Sequence, residues 1–431
     1  MSLSRRRFLK TTALIGASSI TGCETLNLKP LSTAQVVIVG GGFGGATAAK
    51  MLRLLDSSLG ITLIEPKSHY ITCPGSNWLL AGLCDLNALR VDYSDLQQRY
   101  AIRIIHDRVN QIDSRQRKVS LLSGQSITYD RLILSPGIDF QWQAIEGYGA
   151  NVVERFPHAW QAGPQTLTLA HQLRAMPEGG VVLLSVPADP YRCPPGPYER
   201  ASLMAWWLKQ HNPRAKLIIL DHKRSFSKQA LFETLWKRHY GYGSDHSLIE
   251  WHSIADNSVQ ALDDKSQTLI TEFGDRFRGD VINLIPPQRA AELAVHNGLT
   301  DRSGWCPIRP LTSQSTFDPF IHIIGDAAQF TPLPKSAFAA NSEAKACALA
   351  VMALLNDQIP PSPTWLNTCY SLVTPEQGIS IAGVYRLGEN QGLMAIPGAG
   401  GVSPSLADES LRLEARYAKS AYRHLLDNSF H

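Results

Sequence analysis

Glycines 40, 42 and 45 form a G-x-G-x-x-G run directly behind the β-branched segment Val36-Val37-Ile38-Val39, and Glu65 closes the apolar segment Ile61-Thr62-Leu63-Ile64, 20 residues beyond Gly45. Those residue types at that spacing bind a dinucleotide. Gly40 permits the tight turn from strand to helix, Gly42 lets a pyrophosphate approach the backbone, and Gly45 lets helix and strand pack closely. The helix N-terminus then faces the phosphate charge, and the Glu65 carboxylate accepts hydrogen bonds from ribose hydroxyls. A second set of reactive residues lies in loops: Cys73 in Tyr70-Ile71-Thr72-Cys73-Pro74-Gly75, Cys193 and Glu199 between Tyr191 and Arg200, Cys306 in Gly304-Trp305-Cys306-Pro307, and Cys369 in Leu366-Asn367-Thr368-Cys369-Tyr370. Proline fixes φ and removes a donor, so Pro194, Pro195 and Pro197 make a stiff loop that holds Cys193 and Glu199 in set positions.

The elements that must position these groups read as an α/β fold: two Rossmann-like doubly wound domains of the FAD/NAD-linked reductase (glutathione reductase-like) type, plus a small C-terminal domain. A first βαβ unit runs from residue 34 to Glu65. In doubly wound flavin folds the loop after the acid-bearing strand passes beside the cofactor, which puts Cys73 near the isoalloxazine ring. Residues 101–139 alternate as strands, with turns at Asp113-Ser114 and Ser123-Gly124, and end in Ile127-Thr128-Tyr129-Asp130-Arg131-Leu132-Ile133-Leu134-Ser135-Pro136-Gly137. This resembles a second flavin fingerprint, with Gly137 as its last glycine. A third is the short strand Ile321-His322-Ile323-Ile324 ending in Gly325-Asp326, where Asp326 would bind the ribityl chain or the phosphates and the next helix would aim its N-terminus at the cofactor. Lys335 is a candidate cation for the N1–C2 carbonyl side of a reduced flavin; a solvated surface lysine is the competing assignment. Asn341 to Leu355 reads as a core helix containing Cys347.

A second βαβ unit spans Gly179-Gly180-Val181 to Asp221. Its turn, Ser185-Val186-Pro187-Ala188-Asp189-Pro190, has no glycine where phosphates must come close, so a nicotinamide-type domain is kept for architecture alone. The resulting divisions are an export signal and linker at 1–33, a cofactor domain in two parts at 34–165 and 286–358, the degenerate domain at 166–285, and a C-terminal flavin-binding and interface domain at 359–431.

Charge excludes one class of partner. The formal net charge is +4, and Arg5, Arg6, Arg7 and Lys10 account for all of it. These residues lie in a segment with the layout of an export signal, so the basic balance is no argument for nucleic-acid binding. Ser4-Arg5-Arg6-Arg7-Phe8-Leu9-Lys10 resembles a twin-arginine signal, which exports folded, cofactor-loaded proteins and implies a periplasmic location. Ile20-Thr21-Gly22-Cys23 resembles a lipobox, which would anchor Cys23 at a membrane surface; cleavage near Ala34 is the alternative.

With three fingerprints, a glycine-less second unit and cysteines in these loops, the chain resembles the flavoprotein subunit of flavocytochrome c sulfide dehydrogenase over essentially its full length. The specific matches are Tyr70 to Cys73, Arg192 to Ala201, Asn283-Leu284-Ile285-Pro286-Pro287-Gln288-Arg289-Ala290, Gly304 to Pro307 and Leu366 to Tyr370. The resemblance implies FAD joined to Cys73 by a thioether, a redox-active Cys193–Cys369 disulfide with Glu199 as a nearby proton acceptor, oxidation of an inorganic sulfide, and a c-type cytochrome subunit as electron acceptor. Cys306 is a rival for the pairing. The chain has no Cys-x-x-Cys-His, so the haem would belong to another polypeptide. The alternatives are a sulfide:quinone oxidoreductase, against which the charged C-terminal segment from Asp408 to Lys419 counts, and a non-catalytic flavin-binding protein.

Overall fold

The β-branched run that opens the first unit extends as strand β1 (Gln35–Val39), with Val36 to Val39 buried, because it is covered on both faces as a central parallel strand must be. A computed structural model describes residues 34–431, so the expected export signal and Cys23 lie outside the described residues. The chain turns at Gly40 into helix α1 (Phe43–Leu55) and returns as β2 (Gly60–Ile64), parallel to β1. An antiparallel meander over residues 109–128 follows, as its alternation predicts, and leads into β3 (Arg131–Leu134) on the other side of β1. The segment around Cys73, expected as a loop, contains a short strand, His69–Ile71, and a short helix, Ser76–Leu80.

The second unit is built from β4 (Val181–Val186), α2 (Gly196–His211), β5 (Lys216–Asp221), α3 (Gln229–Tyr240), β6 (Ile249–Ser253) and β7 (Val281–Leu284). Its four strands lie parallel in the order β6-β5-β4-β7. The chain then rejoins the first sheet through β8 (Ile321–Ile323), parallel to β3, completing seven strands. Helix α4 (Ala337–Leu355) packs small residues against small residues: Ala344, Cys347 and Ala348 share one core with Ala46, Ala48 and Ala49 of α1. It is long and apolar enough to cross a membrane, but 67% of its most apolar window is buried in this fold, as a core helix requires.

The chain ends in a long hairpin, β9 (Trp365–Thr374) and β10 (Gln377–Leu387), and helix α5 (Asp408–Ser429). This part works as a strap across the other two units. Val373, Ile379 and Leu411 belong to the core of the second unit, Trp365 to one core of the first sheet, and Phe430 to the other, where its ring contacts Phe43 and Tyr70. The Ser429 hydroxyl further joins Thr47 of α1 and Asn341 of α4. A segment with so little core of its own gains order only by docking.

Candidate active site

The glycines of the first turn divide the labour as their spacing requires. A Cβ on Gly40, whose φ is +97°, would lie 2.3 Å from the Ser135 carbonyl oxygen, and one on Gly45 would lie 1.9 Å from the Gly40 oxygen. A Cβ on Gly42 would meet nothing nearer than 3.8 Å, so that position leaves room for a ligand. Glu65 stands at the end of β2 with Oε2 accepting the Gly41 N–H at 2.8 Å. Gly137, at φ +75°, faces open space. Asp326 lies in a single tight turn, Gly325–Ala327, and the long helix α4 starts at Ala337, four residues ahead of the expected Asn341. Its Oδ1 is buried without a partner, and Oδ2 is 4.0 Å from Arg192 Nη1. Lys335 is an interior lysine: Nζ donates to the carbonyls of Asp326 and Ala328 at 2.8 Å each and sits 3.9 Å above the Trp305 ring. Burial lowers its pKa to about 8, against the pull of Asp326 and Glu343. Buried acceptors are almost always paired, so an orphan carboxylate oxygen beside an open glycine turn fits a dinucleotide with a hydroxylated chain such as FAD.

Cysteines from three segments converge on this cradle. Cys73 Sγ lies 3.8 Å from the Trp160 carbonyl, to which the Arg192 guanidinium also donates. Cys193 adopts φ +59°, its N–H donating to the Lys335 carbonyl at 2.8 Å, so the stiff loop is tied to the cofactor unit. A Cβ on Gly196 would lie 2.9 Å from Cys193 Sγ, which lets the sulfur rest on the first turn of α2. Cys369 comes from the strap, at mid-β9 opposite Ile381. Burial raises the Cys193 thiol, and the next largest contribution is Cys369 itself, followed by Glu199. All six described cysteines are unbonded thiols, so the expected Cys193–Cys369 bridge is not formed here although the two are neighbours. Glu199 links all three segments: Asn77 Nδ2 donates to Oε2 at 2.9 Å and the Leu372 N–H to Oε1 at 3.0 Å, while burial raises its pKa. Cys306 is fully buried elsewhere, with Lys335 and Asp301 as its charged neighbours, and burial pushes its thiol up to about 12. Cys347 is a core thiol.

Two buried cations were not legible in the sequence. Arg200 donates to Asn77 Oδ1 and Asn283 Oδ1 and to the carbonyls of His158 and Ala159, fastening α2 to the Cys73 segment. Lys228 reaches from the start of α3 to the strap, donating to the Cys369 carbonyl at 3.2 Å and to Ser371 Oγ at 2.8 Å. Arg200 lies in the matched segment Arg192 to Ala201, which assigns it no role, and nothing near Lys228 in sequence marks it.

The acid at the crevice of the second unit is engaged by its own side chains. Asp221 ends β5, where a ribose-binding acid would stand, but it is fully buried and accepts hydrogen bonds from Tyr198 OH at 2.5 Å, Lys223 Nζ at 2.6 Å and Trp251 Nε1 at 3.0 Å. With no glycine in the preceding turn and its acid already engaged, the unit lacks the two features that hold a nicotinamide dinucleotide's phosphates and ribose. NADH and NADPH are therefore expected to leave the flavin oxidised in stopped-flow mixing; bleaching at a turnover rate would refute this.

Comparison with known proteins agrees with this geometry. Residues 34–167 match the family described as pyridine nucleotide-disulphide oxidoreductase, residues 166–286 the central part of the sulfide dehydrogenase [flavocytochrome c] flavoprotein chain, and residues 361–430 the flavin-binding part of flavocytochrome c sulphide dehydrogenase. The chain is 62% identical over 45 residues to the sulfide dehydrogenase [flavocytochrome c] flavoprotein chain of Chlorobaculum thiosulfatiphilum, covering 10% of this chain and 94% of that one. It is 24% identical over 328 residues to the mitochondrial sulfide:quinone oxidoreductase of Mus musculus, covering 71% and 67%. The sulfide:quinone oxidoreductase structure from Aquifex aeolicus shares the fold, with a TM-score of 0.70 at 18% identity over 92% of each chain. Two domain matches and a densely identical stretch place the chain in one family: it belongs to the flavoprotein chains of flavocytochrome c sulfide dehydrogenase.

Proposed function

We propose that this chain binds FAD, covalently through Cys73, and oxidises an inorganic sulfide through Cys193 and Cys369, with a c-type cytochrome as electron acceptor. The observation that carries the reading is convergence: Cys193, Cys369 and Glu199 meet beside the cradle that Asp326 and Lys335 line, while the acid of the second unit's crevice is held by Tyr198, Lys223 and Trp251. Hydrosulfide attacks one sulfur of the oxidised pair, so the S–S bond breaks, a new S–S bond forms, and a persulfide and a thiolate remain. Release of zero-valent sulfur and re-formation of the pair yield two electrons, and the proton goes to Glu199, which burial makes a stronger base than an exposed carboxylate. FAD, when bound, takes the electron pair and hands it on singly to a haem. Lys335 and Arg192 supply positive charge beside Asp326. Export through the twin-arginine-like segment agrees with a periplasmic cytochrome, and a lipid at Cys23 would keep the complex at the membrane surface.

Quinone is the competing acceptor, since the mouse relative is a sulfide:quinone oxidoreductase. Purification of the chain from its native envelope decides between them. The expected result is co-purification of a haem-containing subunit and sulfide-dependent reduction of cytochrome c. A homo-oligomer that reduces quinone and leaves cytochrome c oxidised would overturn the acceptor.

A further inference from the structure

Gln288 opens the short strand Gln288–Ala290, which pairs antiparallel with Ile138–Phe140 where the chain leaves the second unit for the first. Its backbone is pinned by Gln141, whose Nε2 donates to the Gln288 carbonyl at 2.9 Å. The residue is only 4% exposed, and its side-chain Oε1 accepts the Arg192 N–H at 2.9 Å. A backbone amide can only donate, so that bond fixes which end of the carboxamide is oxygen and turns the NH2 group to the other side. There Nε2 is buried and has no acceptor. Buried amide donors are almost always paired, so an unpaired one marks a place where a ligand's acceptor belongs.

Arg192 ties this donor to the cofactor cradle. Its guanidinium donates to the Trp160 carbonyl, which lies 3.8 Å from Cys73 Sγ, and its Nη1 is 4.0 Å from Asp326 Oδ2. Arg192 thus spans from the residue expected at the flavin ring to the residue expected at the ribityl chain, and a side chain bonded to its backbone borders the same space. Asp326 Oδ1 is the complementary orphan, an acceptor without a donor. A ligand that satisfies both carries hydroxyl donors next to a ring with outward-pointing carbonyl oxygens, as FAD does.

We propose that Gln288 is a cofactor-contact residue, with Nε2 donating to a carbonyl oxygen of the isoalloxazine while Oε1 holds the Arg192 backbone beside Cys193. This rests on the FAD reading of the cradle given above. Reduction adds electron density to the ring, so a donor on its carbonyl strengthens its bond in the reduced form and favours that form.

The test uses the FAD-loaded protein without sulfide, at pH 9, with spectroelectrochemistry reading the ratio of reduced to oxidised flavin and Raman spectroscopy reading the ring carbonyl bands. Gln288→Met removes both hydrogen bonds at similar length. Gln288→Glu keeps an oxygen for the Arg192 N–H and replaces the donor by a carboxylate, since pH 9 lies above even the value of about 8 to which burial pushes Glu343. At a fixed potential the ratio should fall about tenfold in Gln288→Met, which is about 30 mV for a two-electron couple, and at least as far in Gln288→Glu. A ring carbonyl band should rise in wavenumber in both. A Gln288→Glu protein with wild-type ratio and bands would reduce Gln288 to an anchor for Arg192 and overturn the proposal. So would wild-type ring carbonyl bands that both match FAD in an aprotic solvent, which decides the matter even if neither variant binds FAD. Wild-type protein that takes up no flavin refutes the cradle itself; flavin-loaded protein with unmoved values refutes Gln288 alone.

Discussion

Replacing Cys193 or Cys369 by serine is expected to lower sulfide-dependent flavin reduction by about 10³-fold or more, because a hydroxyl can neither form the disulfide nor be attacked by hydrosulfide. Dithionite should still bleach the flavin of both variants, since the cradle of Gly40, Gly42, Glu65 and Asp326 does not use either sulfur. Cys306→Ser provides the contrast. That thiol is fully buried against Lys335 and away from the other two, so the substitution should leave the reduction rate within a few-fold of wild type. The measurement is anaerobic stopped-flow absorbance of the flavin after mixing with sulfide, with each variant checked for bound FAD beforehand. Loss of the reaction in Cys306→Ser, with Cys369→Ser near wild type, would assign the pair to Cys193 and Cys306 instead.

The second large effect concerns attachment of the cofactor. Denatured wild-type protein should retain the full mass of FAD on the peptide containing Cys73, and Cys73→Ala should release all its yellow colour on acid precipitation. The thiol stands between two short elements, His69–Ile71 and Ser76–Leu80, and its Sγ shares the Trp160 carbonyl with the Arg192 guanidinium. Arg192 also faces Asp326, so one cation connects the expected attachment residue with the residue expected at the ribityl chain. Complete release of colour from the wild-type protein would rule out the thioether, while leaving the non-covalent cradle intact.

How much of this was legible beforehand differs by element. The first βαβ unit could be read in full, because its determinants are local: a β-branched run, glycines whose missing Cβ atoms avoid the Ser135 and Gly40 oxygens, and an acid at the end of the next strand. The degenerate character of the second unit was also legible from a turn without glycine. Its completion by Tyr198, Lys223 and Trp251 around Asp221 was not, since those side chains come from three different elements. The position of Lys335 stayed open until the carbonyls of Asp326 and Ala328 settled it as interior.

Sequence by itself determined the dinucleotide unit, the proline-stiffened turn around Cys193, and the apolar core helix around Cys347, whereas Glu199, expected in that loop, stands in the first turn of α2. Each follows from residue type and spacing within a few turns of chain. Only the tertiary structure decided that Cys193 and Cys369 are neighbours across 176 positions, that Lys228 stands over the strand carrying Cys369, and that the C-terminal hairpin and helix complete the cores of both units. The physical reason is that burial and charge are properties of a place. Lys228 reads as an ordinary helix-capping lysine until the strap covers it and supplies the oxygens to which its ammonium donates.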